Sequence, residues 1–303
     1  VARVKFRKAS FGERFFRVTN YVVLLIFAVA VILPFWYITV ISLNEGIDFA
    51  RGGVYLWPRA FTWDNYRAVF SELSILRYFR NSILRLGILT PLHLLVTTMA
   101  GWVISRRNLP GRKFFVSMFV VAMFVNAGLI PFYLTLVELK LINRFAVYVL
   151  PWLFSCFELM VYLVAVRAIP ESLIETAYLD GANDFLIYFK IVVPLTAATI
   201  ATLGLFNAVW AWGDWFTGTF YIRSHEKWTI ATYLQMVLQR GASHSVRSAA
   251  EAMLAADRTT RITFNEASLR AATLLVTILP ITVIYPFLQK YFIHGVMVGS
   301  LKE

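Results

Sequence analysis

Apolar residues run along this chain in long blocks, and polar residues gather in the gaps between them. A helix crossing a bilayer needs roughly 20 mostly apolar residues. Six blocks meet that length, and spans are predicted at Tyr21–Leu43, Ser82–Ser105, Phe114–Val137, Ala146–Val166, Ile191–Trp212 and Ala271–Phe292. Pro34, Pro91, Pro131, Pro151, Pro280 and Pro286 fall inside or at the ends of these blocks. Membrane helices tolerate them because neighbouring groups satisfy the freed backbone. The expected fold is all-α and polytopic, with the first block read as an uncleaved helix rather than a signal peptide.

One gap breaks the pattern. "ESLIETAYLDGANDFLIYFKIVVPL", Glu171–Leu195, is acidic and amphipathic in its first half. Leu173, Ile174, Ala177, Tyr178 and Gly181 follow the spacing of one helical face, and Glu171, Glu175, Thr176 and Asp180 take the rest. Pro170 suits the first helical position, and Glu171 and Glu175 lie at the positive end of the helix dipole. Asp180-Gly181 is a stop signal, after which Asn183 or Asp184 is placed to cap the next helix. Small residues at 177 and 181 allow close approach of another surface. A solvated connector and a docking element fit these residues equally well.

Composition adds direction. The chain of 303 residues is 59% apolar and carries a net charge of +12. The basic residues sit mainly in loops and tails, which fits topology signals and anionic lipid rather than nucleic acid. Arg106, Arg107, Arg112 and Lys113 fill one short loop, and six basic residues precede the first span. The opposite short loop, "ELKLINR", has only Lys140 and Arg144, offset by Glu138. The positive-inside rule then places a basic tail (1–20), loop 106–113 and segment 169–190 in the cytoplasm. The span-containing body, 21–293, returns a tail at 294–303 to that side, and the long segments 44–81 and 213–270 fall outside. Within the latter, "WTIATYLQMVLQ" reads as a short interfacial helix with Trp228 at the headgroups, and "SVRSAAEAMLAADR" as helix-prone.

Cys156 is the single cysteine, and His93, His225, His244 and His294 show no metal-ligand spacing. No nucleophile motif and no phosphate-binding glycine loop is present. No catalytic residue, metal site or bound cofactor is therefore expected, and the chain should not hydrolyse ATP unaided.

The polar island resembles the EAA loop of ABC-importer permeases, a Glu-Ala-Ala triplet followed by a fixed Gly and an Ile-x-Leu-Pro. Here it reads Glu175-Thr176-Ala177, Gly181, then Ile191-Val192-Val193-Pro194, with threonine and valine as the two departures. "NAGLIPFYL" from Asn126, "IPESLIETAYLDGANDF" from Ile169 and "YPFLQKYFIHGVMVGSLKE" at the C-terminus are similar to the maltose-transporter-type permeases, particularly those for oligosaccharides. Residues 240–265 look like an insertion. The resemblance implies the type I importer architecture in a bacterial inner membrane, a homologous second permease, two ATPase subunits holding ATP-Mg, and an extracytoplasmic solute-binding protein. It makes Glu171, Glu175, Ala177, Asp180, Gly181 and Pro194 the ATPase-coupling residues. Within that group Glu175 is the charged contact, Ala177 the close-packing face and Gly181 the tight turn. It also makes Gly295, Gly299 and Ser300 part of a docking tail, and the segment between the last two spans a contact for the binding protein.

Candidates for a substrate path are the polar and aromatic residues in or beside the spans: Asn126, Glu158, Asn207, Trp210 and Asp214. Glu158 and Asn126 read either as pore-lining groups or as groups satisfied inside the bundle. His93 reads as a satisfied interior histidine. Asn207, Trp210 and Asp214 share one helical face that suits a sugar, although an interfacial tryptophan belt explains Trp210 as well. Arg51, Arg59, Arg67, Arg77 and Arg80 in the first outer loop point to an anionic, uronate-type sugar by attraction, or to partner and lipid contacts. A neutral sugar, or an ion-coupled secondary transporter, is the alternative.

Overall fold

A computed structural model describes residues 11–71, 73–125, 127–239 and 267–283, and nearly all regular structure among them is helical. The chain divides into two compact units, Val1–Ser71 with His244–Leu275, and Glu72–Ser243 with Val276–Glu303.

In the first unit α1, Phe11–Ser42, runs unbroken through Pro34 and covers the first predicted span up to its last residue but one. Its side chains from Phe11 to Phe35 are exposed, as suits a helix bathed in lipid. Short helices α2, Gly46–Ala50, and α3, Asp64–Ser71, follow. Buried Asn65 ties them down, donating its amide to the carbonyls of Ser42 and Asn44. Asp48 receives the Asn44 amide at 3.1 Å and the Arg59 guanidinium, which hold its carboxyl below its ordinary pKa.

The second unit is organised around α4, Leu73–Ser105, which is continuous through Pro91. Three predicted spans are each broken in two. α5, Arg112–Phe124, stops where Val125 turns extended, and α6, Leu129–Glu138, starts after Gly128 at φ 82°. Only glycine takes that backbone without strain. Two 3-10 turns, Phe145–Tyr148 and Leu150–Trp152, lead by a 46° bend into α7, Cys156–Arg167. The Ser155 side chain caps α7 by accepting from Glu158 N at 3.3 Å. α8, Glu171–Leu179, and α9, Asp184–Ile187, make up the polar island.

A π-helical turn, Tyr188–Val192, and α10, Val193–Leu195, then meet α11, Ala197–Gly213, at an 81° bend. Pro194 lacks an N–H and so cannot continue the ladder at the π turn. Thr196 N donates to Val192 O at 2.9 Å and carries the chain around the corner. α12 is Phe216–Tyr221, α13 covers 230–239, and α14 is Ala267–Val283. The far half of the sixth predicted span, 284–292, lies outside the described residues, as does the helix-prone stretch near 250.

α13 departs from its predicted interfacial placement. Ile230, Ala231 and Tyr233 are buried, Ile230 N donates to Ser82 Oγ at 3.0 Å, and Tyr233 stacks on Tyr78. The first turn of α13 is thus covered by protein, and its later residues Leu234, Met236 and Val237 are half-buried. The core of this unit includes two clusters packed along α4. Leu89 joins Leu136, Val147, Tyr148 and Tyr221 at one level, and Trp102 joins Tyr162, Tyr188 and Leu203 at the other. Gly101 lets Tyr162 pack this closely, because a Cβ there would lie 2.6 Å from Tyr162 Cδ1.

Candidate functional site

The polar island is closed at both ends by local chemistry. Pro170 takes the N-cap position with ψ 129°, one residue before the expected place. At the far end Asp180 is the C-cap, and Gly181 adopts φ 81°. Gly181 N donates to Tyr178 O and Ala182 N to Ala177 O, both at 3.0 Å. This paired closure requires the left-handed conformation that glycine adopts freely. Asn183 Oδ1 then accepts from Leu186 N at 2.9 Å, so Asn183 rather than Asp184 is the cap. A Cβ on Gly181 would meet nothing within 4 Å, so only the backbone angle resists a side chain there.

The two faces of α8 have different owners. Ile174 and Ala177 are buried against Trp102, Tyr162, Val166 and Tyr188 of the same chain. Ala177 therefore gives close approach to this chain's own helices, not an outward-facing surface. Leu173, Leu179, Phe185 and Leu186 are exposed, Leu179 at 88%. A leucine this exposed beside Gly181 marks an apolar surface without a cover among the described residues. Glu171, Glu175, Asp180 and Pro194 are exposed as well.

A cavity of about 650 Å³ lies beside α8, walled by Trp102, Arg106, Glu171, Glu175, Tyr178 and Asp184 among others. The Arg106 guanidinium sits over two rings, 4.9 Å from the Trp102 centroid and 5.2 Å from that of Tyr178. Tyr178 donates its hydroxyl to Asp184, and burial together with that bond raises the phenol pKa. Arg107 pairs with Glu171 at 3.1 Å. The basic loop and the acidic helix, about 65 residues apart in sequence, are thus one electrostatic unit.

The second site lies along the middle of α4. Glu158 Oε2 is 2.7 Å from His93 Nε2, and His93 Nδ1 is 2.8 Å from the Trp152 carbonyl oxygen. Glu158 is therefore satisfied by an interior histidine. Arg85, 0% exposed, donates from Nη2 to Asp214 Oδ2 at 2.7 Å. Its guanidinium carbon lies 4.9 Å from the Tyr148 ring centroid and 5.4 Å from that of Trp210. Trp210 and Trp152 rings are 4.8 Å apart. Glu158, Trp210 and Asp214 thus join a single network through three residues that were not site candidates or were set aside: His93, Trp152 and Arg85.

Asp214 does not share the face of Asn207 and Trp210. α11 ends at Gly213, and Asp214 turns extended so that its Oδ1 accepts from Thr217 N at 3.1 Å, capping α12. Asn207 is buried and accepts from the Thr90 hydroxyl at 3.0 Å, whereas Trp210 is 42% exposed. Asn126, Gly295, Gly299 and Ser300 lie outside the described residues. Arg85 was visible in the sequence as a charge inside an apolar block, which is costly unless paired.

Of the five arginines in segment 44–81 singled out from the sequence, three hold carboxylates: Arg59 with Asp48, Arg67 with Asp64 and Arg77 with Glu226. Among the described residues no group of three or more metal-ligating side chains converges.

Residues 97–298 match the family of binding-protein-dependent transport system inner membrane components. Protein LplC of Bacillus subtilis (strain 168) is 31% identical over 89% of this chain and 89% of its own length. The polygalacturonan/rhamnogalacturonan transport system permease protein YtcP of the same organism is 30% identical over 96% of this chain and 99% of its own. A solved bacterial ABC transporter involved in the import of the acidic polysaccharide alginate superposes with TM-score 0.82 at 25% identity, covering 94% of this chain and 99% of that one. The chain belongs to the binding-protein-dependent transport system inner membrane components, as a permease of the carbohydrate ABC-importer type.

Proposed function

We propose that this permease forms half of a pore that imports a uronate-type oligosaccharide, delivered by an extracytoplasmic solute-binding protein and driven by partner ATPases. The observation that carries the substrate class is the pair of near-full-length likenesses, to the polygalacturonan/rhamnogalacturonan permease and to the alginate importer. Polygalacturonan, rhamnogalacturonan and alginate all contain acidic sugars, and these two likenesses cover 96% and 94% of this chain. Another solved structure of the alginate transporter, in complex with a sugar-bound periplasmic protein, matches in fold with TM-score 0.54.

In this reading α8 is the coupling element. Leu179, Asp180 and Gly181 meet the ATPase, while Ile174 and Ala177 transmit its motion into Trp102 and Tyr162. Glu171 and Glu175 shape the groove beside the contact, and Pro194 fixes the bend through which motion enters α11. ATP-Mg is held by the partner subunits. A homologous second permease completes the pore, both chain ends lie in the cytoplasm, and the tail with Gly295, Gly299 and Ser300 docks on the ATPases.

The test is stimulation of ATP hydrolysis in the reconstituted transporter with its binding protein, across acidic and neutral oligosaccharides. Oligogalacturonates should stimulate, and maltodextrins and arabino-oligosaccharides should not. Stimulation by neutral sugars alone overturns the anionic assignment.

A further inference from the structure

We propose that Arg85 is a positioning residue for transport, and that the Trp210 ring it backs is a stacking surface for sugar in transit. The inference rests on the carbohydrate reading above. Trp210 is 42% exposed, although its neighbours Ala211 and Trp212 are buried at 2% and 6%. Behind the ring stands a guanidinium held at 2.7 Å by Asp214 and pressed also on Tyr148. Beside it stands Trp152, whose ring lies 4.8 Å away and whose carbonyl is fixed by His93.

The Trp210 ring is therefore supported on two sides and open on another. Such backing is unnecessary for a side chain that only meets lipid, where any apolar group of similar size serves. It suits a flat surface that must keep one orientation while the C–H faces of successive sugar rings pass over it. The stacking of each ring is weak, so a moving oligomer is oriented without being trapped. A planar guanidinium can lie against two rings and bind a carboxylate at once, which an ammonium cannot do.

The experiment uses the complete transporter in proteoliposomes, with its binding protein and an oligogalacturonate, and reads sugar moved per ATP hydrolysed. Trp210→Leu keeps apolar bulk but loses the flat ring, and Arg85→Lys keeps the charge for Asp214 but loses the fork. Each should lower the ratio about fivefold or more, while Trp210→Phe retains more than half. A merely structural counter-ion would be rescued by lysine, and a lipid-facing or subunit-facing tryptophan by leucine. Wild-type ratios in Trp210→Leu and Arg85→Lys overturn the proposal, and Trp210→Leu decides alone if the lysine variant does not assemble. Wild-type transporter that moves no oligogalacturonate defeats the uronate-type reading instead, so the two failures are distinct.

Discussion

The α8 segment and the Arg85 network are both polar clusters in an apolar chain, yet they are built in opposite ways. The backbone hydrogen bonds that form and close α8 span a few residues, and its most exposed apolar side chain, Leu179, faces out. The network is held by contacts more than 50 residues apart in sequence, such as Arg85–Asp214 and His93–Glu158, and its charges face in. A locally closed helix with exposed apolar groups holds its shape while a partner moves it. A buried ion pair across helices fixes them to one another. Stability should therefore be sensitive to the network, and coupling to α8.

Arg85→Met tests this contrast most severely. It leaves Asp214 buried with an unpaired charge, and should lower stability by about 3–5 kcal/mol in thermal unfolding of the detergent-solubilised complex. The double variant Arg85→Met, Asp214→Asn should recover most of that loss, because asparagine still caps Thr217 and no charge is left alone. His93→Ala removes the hydrogen-bond partner of Glu158 and should cost about 1–3 kcal/mol. On the α8 side the effects on stability shrink. Asn183→Ala loses the cap of α9, for about 1 kcal/mol. Arg107→Ala breaks an exposed pair with Glu171 and should change stability by less than about 1 kcal/mol. If Arg107→Ala destabilises as much as Arg85→Met, the contrast between the regions fails.

The same contrast explains what the sequence disclosed. The α8 helix, its stop at Gly181 and the cap that follows depend on neighbouring residues, so spacing revealed them within one residue. The owner of the Ala177 face was not legible, because small size signals close packing but not which surface packs. Glu158 was visible as a misplaced charge, and its histidine was visible too, but nothing local joins residues 93 and 158. Arg85 passed unnoticed inside its apolar block, and Asp214 was assigned to a helical face one residue after the helix had ended. The six apolar blocks were legible as blocks. Their breaks, before Leu129, between Trp152 and Cys156 and at Thr196, were not, since membrane helices carry proline unbroken at Pro34 and Pro91.

ATP-dependent sugar uptake by Gly181→Asp, in proteoliposomes containing the partner ATPase, addresses the central claim most directly. Aspartate tolerates the left-handed backbone better than most residues, and open space surrounds the Cβ position, so the permease itself should fold. The account predicts an intact permease with a near-normal unfolding temperature and uptake reduced about tenfold or more, because a charge now sits where the ATPase docks. Undiminished uptake by that variant contradicts α8 as the point where ATP-driven motion enters the membrane.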